Sequence, residues 1–209
     1  VLGELPEEML DSLDLVVLSP GVPTDLPVVL KMKEKEIPVI GEVELAYQVS
    51  RGKVLAITGT NGKTTTTSLL GEIMKAYQPE VKVVGNIGTP YTSAALDTTD
   101  DTVTVAEISS FQLETIDKFH PKVSAILNIT PDHLNRHHTM EEYRAAKGLL
   151  FDQCRQAVLN LDDPAGRWYL ERVRCPVFTY SENRTQANLS AKNIRLFPSH
   201  VEFDALSTG

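Results

Sequence analysis

Short apolar runs recur along the chain, each closed by glycine, asparagine, aspartate or proline. Residues 14–18 (DLVVL), 37–40, 53–58 (KVLAIT), 81–84, 102–106, 122–129, 156–161 and 176–180 read as strands. Helical spacing fits residues 6–12, 26–36, 42–49, 64–77 and 140 to about 153. In residues 64–77 the apolar stripe is Leu69, Leu70, Ile73, Met74 and Tyr77. From residue 53 onward strand and helix alternate, which predicts an α/β fold with a doubly wound, mostly parallel sheet. Residues 50–52 (SRG) form a plausible boundary, so residues 1–50 read as the tail of a separate βαβ layer and residues 51–209 as a second unit. Neither an internal repeat nor a low-complexity tract is visible.

In such a sheet ligands gather at the carboxyl ends of the strands. The stretch that follows residues 53–58 is Gly59-Thr60-Asn61-Gly62-Lys63-Thr64-Thr65. Two glycines permit a tight turn with inward N–H groups, and the following helix N-terminus adds partial positive charge, so the loop reads as a phosphate cradle. Lys63 would meet the outer phosphates and the Thr64 hydroxyl a Mg²⁺ ion. The match is to a shortened P-loop, because the longer form has glycine where this chain has Ile57. The plain alternative is a glycine turn beside an exposed lysine; the strand before it and the helix after it argue against that.

Other strand ends carry chemistry as well. Asn86, Glu107 and the pair Asp132-His133 all fall there. A carboxylate at 107 is a hard oxygen ligand for Mg²⁺, or, more plainly, a helix cap or surface acid. His133 with His137 and His138 allows a zinc reading. Asn135 and Arg136 suggest a loop, however, and a nitrogen ligand to a second magnesium or a donor to phosphate fits better. His137 and His138 read as solvent-facing or structural. Thr139 and Glu142 form a capping box that opens the helix from residue 140. Lys147 lies inside its apolar stripe with Met140, Tyr143, Leu150 and Phe151. By physics alone the first reading is a snorkelling lysine with its head in water. A desolvated head would instead lose its proton and become able to take up carbon dioxide as a carbamate, an anionic metal ligand. Asn128, Asn160, Asp162 and Asp163 read as turn and cap residues.

Composition narrows the setting. The 209 residues are 42% hydrophobic and 23% charged, enough for a substantial core. A net charge of −8 argues against a general nucleic-acid or anionic-membrane surface, without excluding a local basic pocket. Cys154 and Cys175 stand in no metal spacing, so reduced thiols of a cytoplasmic protein are the expectation. No run is long and apolar enough to span a membrane, and no signal peptide is visible. The chain begins at Val1 rather than methionine, and residues 203–209 carry no closing element, so a piece of a longer protein is expected.

Taken together, ITGTNGKTTTT (57–67), GNIGTPY (85–91), EISSFQLET (107–115), NITPDHLNRH (128–137) and TMEEYRAAK (139–147) resemble the Mur ligases, ATP-dependent amino-acid-adding enzymes of peptidoglycan synthesis. The Phe111-Gln112 pair after the double serine is similar to the branch that adds D-glutamate. LSPGVPTDLP (18–27) looks like the end of that branch's Rossmann-like UDP-binding domain. The resemblance implies ATP on Gly59, Thr60, Asn61, Gly62, Lys63, Thr64 and Thr65. It implies two Mg²⁺ ions, one on Thr64 and Glu107, the other on His133 and a carbamoylated Lys147, which reverses the reading of Lys147. Asn86 would bridge nucleotide and substrate, and Ser19, Pro20, Gly21, Ser109, Gln112 and His133 would face the UDP-sugar. The implied catalytic set is Lys63, Asn86, Glu107, His133 and Lys147. The implied partners are UDP-N-acetylmuramoyl-L-alanine and D-glutamate, handled by a monomer. Three domains are expected of the family. Here the first would lack its start, the second its last helices, and the third would be absent, leaving this polypeptide inactive alone. The rival readings are another ligase of the superfamily, tripeptide-forming or folylpolyglutamate-forming, a P-loop NTPase acting as a binding module, and a structural fragment without retained binding.

Overall fold

The structure, a computed structural model, describes residues 5–86 and 88–208. Val1, Gly209 and Ile87, the last within the 85–91 motif, lie outside the described residues.

The opening segment builds a small parallel sheet. Strand β1 (Val16–Leu18) pairs with β2 (Val39–Gly41), joined through helix α2 (Pro27–Glu34). Pro27 occupies the first turn of α2, where a missing N–H costs nothing. Leu10 of the short helix α1 (Glu7–Leu10), Met32 and Ile37 form the core beneath it.

Helix α3 (Glu42–Val49) follows directly on β2. The sequence placed it before the boundary at 50–52, yet Val43 and Ala46 sit in the core of the large sheet with Val54, Ala56, Tyr91 and Phe119. Its Glu44 carboxylate is fully buried and accepts from the backbone N–H groups of Asp117, Lys118 and Phe119 at 2.8, 2.9 and 3.0 Å. Three charge-assisted bonds offset the desolvation of that anion and clamp α3 to a distant loop.

Among the described residues eight strands form the large sheet: β3 (Lys53–Thr58), β4 (Val81–Gly85), β5 (Val103–Glu107), β6 (Val123–Ile126), β7 (Ala157–Asn160), β8 (Val177–Ser181), β9 (Leu189–Leu196) and β10 (Val201–Ser207). Their order is β10-β9-β8-β7-β6-β3-β5-β4. Every pairing is parallel except β9 with β10. The doubly wound parallel α/β sheet expected from the sequence is therefore present, with an antiparallel hairpin added at one edge. That hairpin was not anticipated, and β10 is exposed along its whole length. Strand β5 is the opposite case: all five residues are buried, and its valines and alanine read as a continuous apolar run for that reason.

The connections include α4 (Lys63–Lys75), α5 (Tyr91–Ala95), α6 (Ser110–Leu113), α7 (Leu134–His137), α8 (Met140–Gly148) with a 3-10 turn at Leu149–Phe151, and α9 (Pro164–Leu170). The helix predicted to run from residue 140 to about 153 thus tightens after Gly148. The stripe read on α4 is only partly buried. Leu70 and Met74 pack under the sheet, whereas Leu69, Ile73 and Tyr77 face outward. The deepest positions of α4 are Thr67 and Gly71. A Cβ on Gly71 would lie 2.4 Å from a methyl of Val83, so glycine sets the closeness of α4 to β4. Leu69 and Ile73 border an apolar groove of about 620 Å³ whose floor is Leu55, Ile57, Val123 and Val158.

β3 lies between β5 and β6, so chain connections diverge to either side of its carboxyl end. A crevice opens at such a point, and the glycine loop leaves β3 there.

Candidate functional site

The loop between β3 and α4 is held by its neighbours. Gly59 and Gly62 have φ of 148° and 81°, conformations that a side chain would strain. At Gly59 a Cβ would also approach Leu127 Cβ to 3.2 Å. Asn128, at the end of β6, grips Asn61 from both sides: its Oδ1 accepts from Asn61 N at 2.9 Å and its Nδ2 donates to Asn61 O at 3.0 Å. Thr60 N donates to Asn128 O at 2.9 Å, and the Thr60 hydroxyl meets Thr130 N at 3.0 Å and the Tyr143 hydroxyl at 3.2 Å. Lys63 folds back to donate to Thr60 O at 2.9 Å. Thr64 and Thr65 occupy the first turn of the thirteen-residue α4, whose free N–H groups face the loop.

Glu107 ends β5 with only 2% of its surface exposed. Its oxygens accept from the Thr64 hydroxyl at 2.8 Å and the Asn86 amide at 3.3 Å. Asn86 is held there by its own N–H, which donates to Glu107 O at 2.9 Å. The preceding Gly85 has φ of 109°, and a Cβ there would fall 2.1 Å from that same carbonyl oxygen. Only glycine lets β4 end so close to β5.

Lys147 does not snorkel. It is 2% exposed, its ammonium donates to the Thr58 hydroxyl at 3.2 Å, and it lies 5.0 Å from the centre of the Tyr143 ring. Tyr143 and Lys147 are one helical turn apart on the buried face of α8, with Leu150 buried just beyond in the 3-10 turn. Burial, reinforced by the charge of Lys63, lowers the Lys147 pKa to about 7, against the opposing pull of Asp132 and Glu107. A substantial neutral-amine fraction is therefore present at neutral pH. The snorkelling reading fails because α8 aims this position at the end of β3 rather than at the helix flank.

His133 adopts a left-handed conformation, φ 52°, at the start of α7. A non-glycine residue there is uncommon and marks a constrained position. Its half-exposed imidazole lies 3.4 Å from Asp132 and packs against Phe111 and Tyr143, with ring centres 4.9 and 6.4 Å away. His137, read as solvent-facing or structural, is buried, and His138 is exposed. The Nε2 of His137 bonds the Ser110 hydroxyl at 2.9 Å, and burial lowers its pKa. Arg136 pairs with Glu114 at 2.6 Å, and Thr24 reaches Glu114 at 3.4 Å. Thr24 belongs to the turn after β1, so this chain of contacts ties the small sheet to α6 and α7. Among the described residues no group of three or more His, Cys, Asp and Glu side chains gathers as a metal site.

The structure thus brings Lys63, Thr64, Asn86, Glu107 and Lys147 around the end of β3, with His133 at the rim beyond Tyr143. Ser19, Pro20 and Gly21 stand apart on the small sheet, where Ser19 O accepts from Val22 N at 2.9 Å. Ser109 and Gln112 face each other in a capping box at the start of α6, with Ser109 N donating to Gln112 Oε1 at 2.9 Å. The box anticipated at Thr139 shows its first half, Glu142 N donating to the Thr139 hydroxyl at 3.1 Å. Sequence reasoning missed Thr58, Asn128 and Tyr143 as braces of the site. Tyr143 carried a usable signal, since it shares the α8 stripe with Lys147.

The donor set fits magnesium. Glu107 is a buried carboxylate whose direct hydrogen-bond donors, a hydroxyl and an amide, are both neutral. Together with the Thr64 hydroxyl it offers the hard oxygens that Mg²⁺ prefers.

Comparison with known proteins bears on the family and the fold. Residues 57–209 match the Mur ligase middle domain. A UDP-N-acetylmuramoylalanine–D-glutamate ligase from Lachnoclostridium phytofermentans is 58% identical over 187 residues, covering 88% of this chain and 41% of that protein. One of the same description from Alkaliphilus metalliredigens is 59% identical over 172 residues, 80% of this chain and 38% of that protein. The chain thus spans about two fifths of the length of these relatives. In structure it is similar to a UDP-N-acetylmuramoyl-L-alanyl-D-glutamate–2,6-diaminopimelate ligase, with TM-score 0.65, 22% identity, and coverage of 94% of this chain and 53% of that one. It is also similar to a UDP-N-acetylmuramate–alanine ligase from Thermotoga maritima, with TM-score 0.62, 19% identity, and coverage of 94% and 44%. The last two show a shared fold only. With the family's domain model matched over most of its length and the loop, acid and lysine set at one sheet edge, the chain belongs to the Mur ligase family.

Proposed function

We propose that this chain is part of an ATP-dependent ligase that joins D-glutamate to UDP-N-acetylmuramoyl-L-alanine in peptidoglycan synthesis. The observation that carries the reading is the pairing of buried Glu107 with Thr64 at the mouth of the glycine loop, beside a desolvated Lys147. Relatives more than half identical, described as that ligase, support the choice of amino acid. Residues 51–209 would supply the ATP-binding domain and residues 1–50 the end of the UDP-binding domain. The third domain of the family would complete the site. The reaction is placed in the cytoplasm, where ATP and nucleotide-linked precursors are available; no helix among the described residues is long and apolar enough to cross a membrane.

The residues divide the work by position. Gly59 to Thr65 would cradle the triphosphate, with backbone N–H groups directed by Asn128 and Thr60. Lys63 would leave Thr60 O for the outer phosphates and draw off charge as the phosphoryl group transfers. The alanine carboxylate of the UDP-sugar attacks that phosphoryl group, giving an acyl phosphate and ADP. The amine of D-glutamate then attacks the acyl carbon and phosphate leaves. Asn86, fixed by its bond to Glu107, would orient the carboxylate between nucleotide and sugar. Ser19, Pro20, Gly21, Ser109, Gln112 and His133 would line the UDP-sugar side.

Thr64 and Glu107 would hold one magnesium ion, and His133 with Lys147 a second. Magnesium, when bound, supplies Lewis-acid neutralisation of phosphate charge. Lys147 suits the second position as a carbamate: its neutral amine would add to carbon dioxide and release one proton, leaving an anionic oxygen ligand in place of the uncharged amine. The test is product formation by the full-length protein from ATP, UDP-N-acetylmuramoyl-L-alanine and one amino acid at a time. D-glutamate alone should give amide product. Product with meso-diaminopimelate or L-lysine instead would assign the chain to another branch.

A further inference from the structure

The two cysteines take no part in the site above. Cys154 lies between the 3-10 turn and β7, and Cys175 between α9 and β8. β7 and β8 are neighbours, with Ala157 opposite Val177, so the sheet register brings the segments leading into them side by side. The two sulfur atoms, 21 positions apart in sequence, are 3.3 Å from each other. A disulfide bond is about 2.05 Å long, so forming one asks for a closure of roughly 1.3 Å, within reach of side-chain rotation and small loop shifts.

The environments of the two thiols differ. Cys154 is buried among Phe151, Ile126 and Tyr169, with Phe151 O 3.9 Å from its sulfur. Burial and the adjacent Cys175 push its pKa up to about 12, which suppresses its thiolate. Cys175 is partly open to solvent. One thiol is thus reachable by a soluble oxidant, and the other waits beside it, protected from direct attack.

We propose that Cys154 and Cys175 form a reversible intrachain oxidation site that acts on peroxide-class oxidants. The Cys175 thiolate attacks a peroxide oxygen, the O–O bond breaks, and with hydrogen peroxide the products are a sulfenic acid at Cys175 and hydroxide. The Cys154 sulfur then attacks the Cys175 sulfur, forming the S–S bond. The sulfenic hydroxyl leaves with the Cys154 proton as water. Overall two thiols and one hydrogen peroxide give one disulfide and two waters. A dithiol reductant reverses the step by thiol–disulfide exchange. The bond would staple the exit of the Lys147-bearing helix to the start of β8.

The test uses reduced full-length protein exposed to a few equivalents of hydrogen peroxide, then alkylated and digested without reductant for peptide mass spectrometry. The expected wild-type product is a linked peptide pair containing Cys154 and Cys175 that has lost two hydrogens and is released by dithiothreitol. Dimedone should label Cys175 in Cys154→Ser and not in wild type, while Cys175→Ser should leave Cys154 unoxidised at the same dose. The oxidised wild type should melt a few degrees higher, because the closed loop restricts the unfolded chain. Unmodified thiols at that dose, a persistent Cys175 sulfenic acid in wild type, or only disulfides between chains would overturn the proposal.

Discussion

Replacing Lys147 by methionine removes a buried charge and keeps most of its volume. Burial lowers this amine from the ordinary 10.5 to about 7. Between those values the unfolded chain holds a proton that the folded chain has released, so stability rises with pH across that window. It is greatest above the unfolded value and is lost as pH falls toward 7. At about 1.36 kcal/mol per unit, the charge penalty is roughly 4 kcal/mol at pH 7 and about 2 kcal/mol at pH 9. Wild type should therefore gain about 2 kcal/mol between pH 7 and 9 that Lys147→Met does not gain. The assay is urea unfolding of both proteins at both pH values, in buffer free of magnesium and carbon dioxide so that the amine is neither modified nor bound. Lost contacts, such as the bond to Thr58, are common to both pH values and cancel in the double difference, as do other titrating groups. Parallel stability profiles for the two proteins would refute the idea that this lysine is desolvated.

Other expectations follow from the same geometry. Glu44→Gln should lower stability by about 2–3 kcal/mol in urea unfolding, because one acceptor cannot replace a carboxylate facing three backbone donors. Gly85→Ala should cost about 3 kcal/mol or more, since its Cβ would strike Glu107 O in a left-handed conformation, and should weaken ATP binding measured by calorimetry. Asn128→Ala in the full-length protein should weaken ATP binding by roughly tenfold, about 1.4 kcal/mol, by removing the two bonds that Asn128 makes to the Asn61 backbone. Tyr143→Phe keeps the ring beside Lys147 and removes the bond to Thr60, so a loss of about 1 kcal/mol is expected.

Much of this arrangement was legible in the chain. The strands from 53 to 181 are apolar runs with turn residues behind them, because parallel strands covered on both faces have little reason to alternate. That placed the glycine loop, Asn86, Glu107 and His133 at one sheet edge. The β9–β10 hairpin was not legible, since nearly all of its residues are exposed and no buried face imprints a period. Short helices such as α6 and α7 span about one turn and leave no stripe to detect. The burial of His137 depends on Ser110 and Phe111, which no local spacing connects to it. Lys147 was half legible: its place in an apolar stripe predicted a buried stem. Whether the ammonium reached water depended on where α8 points, a property of tertiary packing.

The central claim is that the loop lysine, Glu107 and Lys147 serve one phosphoryl transfer to a carboxylate substrate. ADP release by the full-length protein, with and without UDP-N-acetylmuramoyl-L-alanine and in wild type against Lys63→Ala, tests it most directly. Release should depend on the UDP-sugar in wild type and fall by orders of magnitude in Lys63→Ala. ADP appearing equally fast without the UDP-sugar, or undiminished without the lysine, would contradict it.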